Sequence, residues 1–133
     1  MDEAVIKYYR SLSRTGFKYT GSLENPSILL IDKSGQRIRV CTNIGSYVNI
    51  YIDVQNEVIK IVKYLCTCNP ATHVAVEIMC SLLESKTLNE ALYLTDKSFI
   101  QILGSDSEEL CQKAKSLLEL LKSGIMEYRN SRL

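Results

Sequence analysis

The hydrophobic period of this chain changes at Asn69-Pro70. Before that point the period is two: residues 47–54 (YVNIYIDV) put Val48, Ile50, Ile52 and Val54 on one face, and residues 57–65 (EVIKIVKYL) are rich in β-branched residues and alternate again. After it the period is that of a helix. Ala71, Val74, Ala75, Ile78, Met79, Leu82 and Leu83 recur at i, i+3, i+4, i+7, i+8, i+11 and i+12, while Asn69 is a good N-cap and Pro70 a good first helical residue. A strand region followed by amphipathic helices has to bury its sheet under those helices. The expected class is therefore α+β, with helices on one face of an antiparallel sheet.

The remaining segments fill in that plan. Residues 2–11 read as a short N-terminal helix with Val5, Ile6 and Tyr9 on its apolar face, and residues 14–25, polar with two glycines before Pro26, read as a loop. Residues 27–32 (SILLID) and 37–42 (RIRVCT) flank a Lys33-Ser34-Gly35-Gln36 turn and read as a hairpin. Gln55-Asn56 is the expected next turn. In the strand that follows, Val58 is expected to face away from Ile59, Ile61 and Lys63. The sheet then has three to four strands in a meander. Thr87 with Glu90 forms a capping box for a helix reaching Leu94, residues 96–103 add a further turn or two of helix, and Ser105 with Glu108 suggests a second capping box. The last helix runs to about Tyr128, with Leu110, Ala114, Leu117, Leu118, Leu121 and Ile125 inward. At 133 residues the chain fits one domain, residues 1–133.

Charge excludes some functions. Sixteen Lys and Arg against fifteen Asp and Glu leave a formal charge of +1, without the basic stripe that nucleic-acid binding through bulk charge requires. No apolar run approaches the ~20 residues of a membrane span. The opening Met-Asp-Glu-Ala has neither the basic start nor the apolar stretch of an export signal, so a cytoplasmic protein is expected, with no nucleic-acid or membrane partner. A conventional enzyme is not expected either. The sequence has no Gly-rich phosphate loop, no paired histidines for hydrolytic zinc and no Gly-x-Ser-x-Gly.

Five cysteines stand out: Cys41, Cys66, Cys68, Cys80 and Cys111. An odd number without an export signal fits a complete disulfide framework poorly and fits metal or redox chemistry better. Cys66 and Cys68 are two apart at a strand end, so both sulfurs point to one side. Cys68 also precedes a helix N-terminus, where exposed N–H groups and the helix dipole favour a thiolate. Cys41 sits near the end of its strand, before a loop that an antiparallel meander can bring towards Cys66 and Cys68. Cys111, in the first turns of the last helix, shares a face with Ala114, Leu118 and Leu121, so it reads as either ligand or core. Cys80, in mid-helix, reads as structural. His73, the single histidine, makes Cys-x-Cys-x4-His with the pair. One turn into a helix beside Glu77, it reads equally as a solvated residue, carried about a turn away from Cys68.

The order of elements and the cysteine placement resemble the NifU-like (IscU-type) iron–sulfur cluster assembly scaffolds. Residues 85–95 (SKTLNEALYLT) are similar to that family's Gly-Lys-Thr-Leu-Asp-Glu-Ala-Leu stretch after the long helix. Val5-Ile6-Lys7-Tyr8-Tyr9-Arg10 resembles its opening, and Gly16 lies seven residues after Tyr9 as in the family. Cys66 and Cys68 resemble its second cysteine site. Where the family has Cys-Gly-Asp, Cys41 is followed by Thr42-Asn43, and where it has Leu-His-Cys this chain reads Leu110-Cys111-Gln112. The resemblance implies a non-enzymatic scaffold in which Cys41, Cys66, Cys68 and Cys111 hold an iron–sulfur cluster transiently, or zinc in its place, since thiolates suit both. It implies a cysteine desulfurase as sulfur donor, apo-proteins as recipients and possible homo-oligomers. A second reading keeps the fold without the metal site, as a persulfide acceptor using one reactive cysteine or as a metal-free interaction module.

Overall fold

Residues 2–33 and 45–132 are described by the structure, a computed structural model. In chain order the described residues form α1 (Glu3–Thr15), β1 (Ile28–Lys33), β2 (Tyr47–Gln55), β3 (Val58–Thr67), α2 (Pro70–Leu83), α3 (Leu88–Leu92), α4 (Asp96–Leu103) and α5 (Glu108–Ser131). The three strands make an antiparallel sheet in the order β1-β2-β3. The α+β class and the helix-on-sheet plan are as expected. The Gly35 turn, the strand expected over residues 37–42 and Cys41 lie outside the described residues.

Alternation builds the inner face of the sheet. Ile28 and Leu30 of β1 and Val48, Ile50, Ile52 and Val54 of β2 are buried. Each large aliphatic side chain so buried is worth about 1.5–3 kcal/mol. Against this face lie α2 and α5, the latter over β1 and the former over β3. Helix α5 approaches β1 closely because residue 124 is glycine. A Cβ there would overlap Leu30 Cδ2 and press on Ile28 Cγ2 at 3.2 Å. Helix α2 also packs against α1, α4 and α5 and is buried on nearly every side. A helix apolar around its whole circumference belongs in the middle of a protein.

Helix signals in the sequence mostly hold. Asn69 Oδ1 accepts from the Thr72 N–H at 2.9 Å. Thr87 and Glu90 form the expected capping box, with Thr87 N–H donating to Glu90 Oε1 at 2.9 Å and Glu90 N–H to Thr87 Oγ1 at 3.1 Å. Helix α1, however, continues to Thr15, a turn beyond the expected end. It stops at Gly16, whose φ of 103° breaks the helix while its N–H still reaches the Leu12 carbonyl at 2.7 Å. The N-cap of α5 is Ser107 rather than Ser105. The Ser107 Oγ accepts from the Leu110 N–H at 3.1 Å and also donates to the Asp2 carboxylate, so a contact with the start of α1 fixes where α5 begins.

Two corrections concern β3. The β2–β3 turn is Asn56-Glu57, both with positive φ, one residue later than expected. Cross-strand pairing then shifts, with Val54 opposite Ile59 but Asp53 opposite Ile61, which leaves Lys60 as a bulge. The extra residue reverses the facing of all that follows. Ile61, expected beside Ile59, is 42% exposed, whereas Val62 and Tyr64 are buried. Cys66 stands opposite the buried Val48 and so belongs to the inner side.

The far edge of β3 is covered along much of its length. Tyr64 N–H donates to the Tyr19 carbonyl and Gly21 N–H to the Tyr64 carbonyl, each at 2.9 Å. Further along, Ile59 N–H donates to the Lys86 carbonyl at 2.8 Å and Ser85 N–H to the Ile59 carbonyl at 3.0 Å. The backbone groups of an edge strand, otherwise open to pairing, are thus satisfied within the chain.

Candidate metal centre

Cys66 is the penultimate residue of β3, Cys68 lies one residue beyond the strand, and His73 is in the first turns of α2. The Lys60 bulge turns Tyr64 and Cys66 towards the helices, and residues two apart keep that facing. The N-cap at Asn69 then turns the chain sharply into α2, which carries His73 back over the strand end. One ligand atom from each of Cys66, Cys68 and His73 lies within 4.8 Å of the other two, and all three residues are half-buried. The Cys66 and Cys68 sulfurs are joined as a disulfide, with Cα atoms 5.6 Å apart. A bridge between residues this near in sequence closes a very short loop, so it constrains the unfolded chain little.

His73 is not the solvated side chain that its position beside Glu77 suggested. Its ring stacks on Phe17 with centroids 4.0 Å apart and planes 13° from parallel. Tyr64 meets it edge-on at 5.5 Å, and Tyr9 lies tilted at 6.1 Å. Phe17 arrives from the segment hydrogen-bonded along β3, a tertiary contact with no local signature. Burial pushes the imidazole pKa down, favouring the neutral ring. One helical turn on, Glu77 Oε2 accepts from the fully buried Tyr64 hydroxyl at 2.7 Å. Burial and then the Glu77 hydrogen bond push the Tyr64 phenol far up, so it stays a donor. The Tyr64–Glu77 bond ties α2 to β3 beside the site.

Among the described residues, the other two cysteines sit elsewhere. Cys80 is fully buried in α2, and burial, reinforced by Glu77 and Glu84, pushes its thiol well up, in keeping with the structural role expected of it. Cys111, partly exposed in the second turn of α5, is outside the Cys66, Cys68 and His73 group. Its neighbour is Asp96 at the start of α4, and partial desolvation and the hydrogen bond to Asp96 raise its pKa.

Two thiolates and an imidazole suit zinc and iron. In a tetrahedral zinc site, bond lengths near 2.3 Å to sulfur and 2.0–2.1 Å to nitrogen put ligand atoms about 3.5–3.8 Å apart. The three ligand atoms lie within 4.8 Å of one another, close enough to reach one ion once the disulfide is opened. The donor set therefore fits such an ion.

No protein-family model and no curated protein sequence matches the chain. Solved structures do match. One is a candidate iron–sulfur cluster assembly scaffold protein for the SUF system (FiSufU) from the thermophile Fervidobacterium islandicum AW-1. It is 17% identical, with a TM-score of 0.54 over 97% of this chain and 86% of that one. Another is the N-terminal part of a nitrogen-fixing NifU-like protein from Brucella abortus, 10% identical, with a TM-score of 0.56 over 97% of this chain and 91% of that one. Sharing their arrangement along almost its whole length, the chain has the NifU/IscU-like fold.

Proposed function

We propose that this protein is a scaffold for iron–sulfur cluster assembly, holding iron and sulfide, or zinc in their place, on cysteine thiolates and passing the cluster to recipient apo-proteins. The observation that carries the reading is the sulfur pair of Cys66 and Cys68 on the inner side of the β3 end, against the N-terminus of α2, in a NifU/IscU-like fold. Thiolates are stabilised at a helix N-terminus, and they suit both iron and zinc. Cys111 and Cys41 are the further thiolates of this reading. A cysteine desulfurase supplies sulfur as a persulfide. The protein acts as a carrier and not as an enzyme, works in the cytoplasm and associates with itself where cluster building calls for two copies. Among the described residues no helix is long and apolar enough to cross a membrane.

Metal and sulfide analysis of anaerobically purified protein tests this, with single Cys→Ser changes at Cys41, Cys66, Cys68 and Cys111. Loss of bound iron or zinc in two or more of these variants is the expected result. Absence of metal under every condition, with a persulfide accumulating on one cysteine, would overturn it in favour of a sulfur acceptor.

A further inference from the structure

We infer that His73 completes, with Cys66 and Cys68, an open three-ligand site for one divalent ion of the zinc or ferrous class, and that the Cys66–Cys68 disulfide is the closed form of that same site. This rests on reading the junction as a metal-holding site. It adds the third ligand, a single ion as occupant, and a redox control.

The geometry makes the site local. All three ligands fall between residues 66 and 73, and their ligand atoms lie within 4.8 Å of one another. No rearrangement of distant segments is needed to assemble them. The imidazole is pre-positioned, because Phe17, Tyr64 and Tyr9 pack around its ring. Three protein ligands leave a fourth position for water, sulfide or a recipient's thiolate, the arrangement of a site that exchanges its ion. All three residues are half-buried, so the ion is reachable from solvent.

The disulfide and the ion compete for the same two sulfurs. Opening the bridge consumes two equivalents of a small thiol such as glutathione. The two small thiols become one disulfide, supplying two electrons and two protons, and Cys66 and Cys68 become free thiols. A divalent cation then displaces both protons and binds two thiolates and the neutral imidazole. Oxidation by glutathione disulfide runs the exchange backwards and expels the ion.

Anaerobic titration of the reduced, metal-free protein with Co2+ is the test. One equivalent is expected to bind with thiolate-to-cobalt charge-transfer absorption and d–d bands of tetrahedral intensity. His73→Phe keeps a ring in the aromatic stack, and His73→Asn is a second variant should the first fold poorly. Each is expected to weaken Co2+ by at least about tenfold and to shift the d–d bands. Wild-type affinity and spectrum in both would overturn His73 as a ligand and leave the scaffold reading standing. Unchanged charge-transfer absorption in both Cys66→Ser and Cys68→Ser would instead remove the scaffold reading of the junction. Protein oxidised with glutathione disulfide, its 66–68 bridge located by peptide mass mapping, is expected to bind no Co2+ until reduced. Binding by the bridged form would overturn the redox control.

Discussion

Tyr64 serves two neighbours at once. Its ring edge meets His73, and its hydroxyl donates to Glu77 one helical turn further along α2. Both Tyr64 and Glu77 are buried, so the hydroxyl leaves the carboxylate a partner where water has little access. Removing one partner of such a buried pair costs the desolvation of the other, about 1–3 kcal/mol. Tyr64→Phe is therefore expected to lower the free energy of unfolding by that amount, read as a reduced urea midpoint with an unchanged slope. A midpoint equal to wild type would mean that water replaces the hydroxyl.

Within β3, Lys60 decides which side chains meet α2. Without the bulge, a strand that buries Ile59 would bury Ile61 and turn Tyr64 and Cys66 outward. Deleting Lys60 removes only the unpaired residue and keeps Ile59 opposite Val54 and Ile61 opposite Asp53, so the deletion variant is expected to retain its thiolate-to-cobalt absorption when reduced. Inserting one alanine between Ile61 and Val62 instead turns Val62, Tyr64 and Cys66 outward, and is expected to lower the unfolding midpoint and abolish that absorption. Retention of both by the insertion variant would show that the strand re-registers elsewhere. This is also where sequence reading met its limit. The caps at Asn69 and Thr87 are local hydrogen-bonding patterns, and they are legible because the residues that satisfy them sit within four positions. The apolar positions of α2 are legible for the same reason. The bulge is not, since Val58, Ile59 and Ile61 fit an uninterrupted alternation as well as an interrupted one, and cross-strand pairing alone distinguishes them. Ser105 with Glu108 satisfies the spacing of a capping box, yet Ser107 wins through its contact with Asp2 across the fold. In the site, the spacing of the Cys-x-Cys pair shows that both sulfurs share one side, but which side that is depends on the Lys60 bulge. His73 was visible as a candidate, but its placement depends on Phe17, which is distant in sequence.

At the level of the whole molecule, the helices cover one face of the sheet and leave Leu29, Ile31 and Ile61 partly exposed on the other. The candidate centre lies where the most deeply buried helix, α2, leaves the sheet. An ion bound there ties β3 to α2 in the folded state only, so it stabilises the fold by mass action. At free Zn2+ a hundredfold above the dissociation constant, the gain is about 2.7 kcal/mol. Reduced protein is expected to melt several degrees higher with Zn2+ than without, and a chelator should return it to the metal-free midpoint. Disulfide-bonded protein should show no such rise. An equal rise in both forms would place the zinc elsewhere.

The face-to-face packing of His73 on Phe17 has a practical corollary. Imidazole protons held over a benzene ring experience its diamagnetic shielding, so their resonances move upfield from random-coil positions. With one histidine in the chain, these signals are assigned without isotopic labelling. A simple proton spectrum thereby becomes a gauge of whether the aromatic stack is intact, and of what sits beside it.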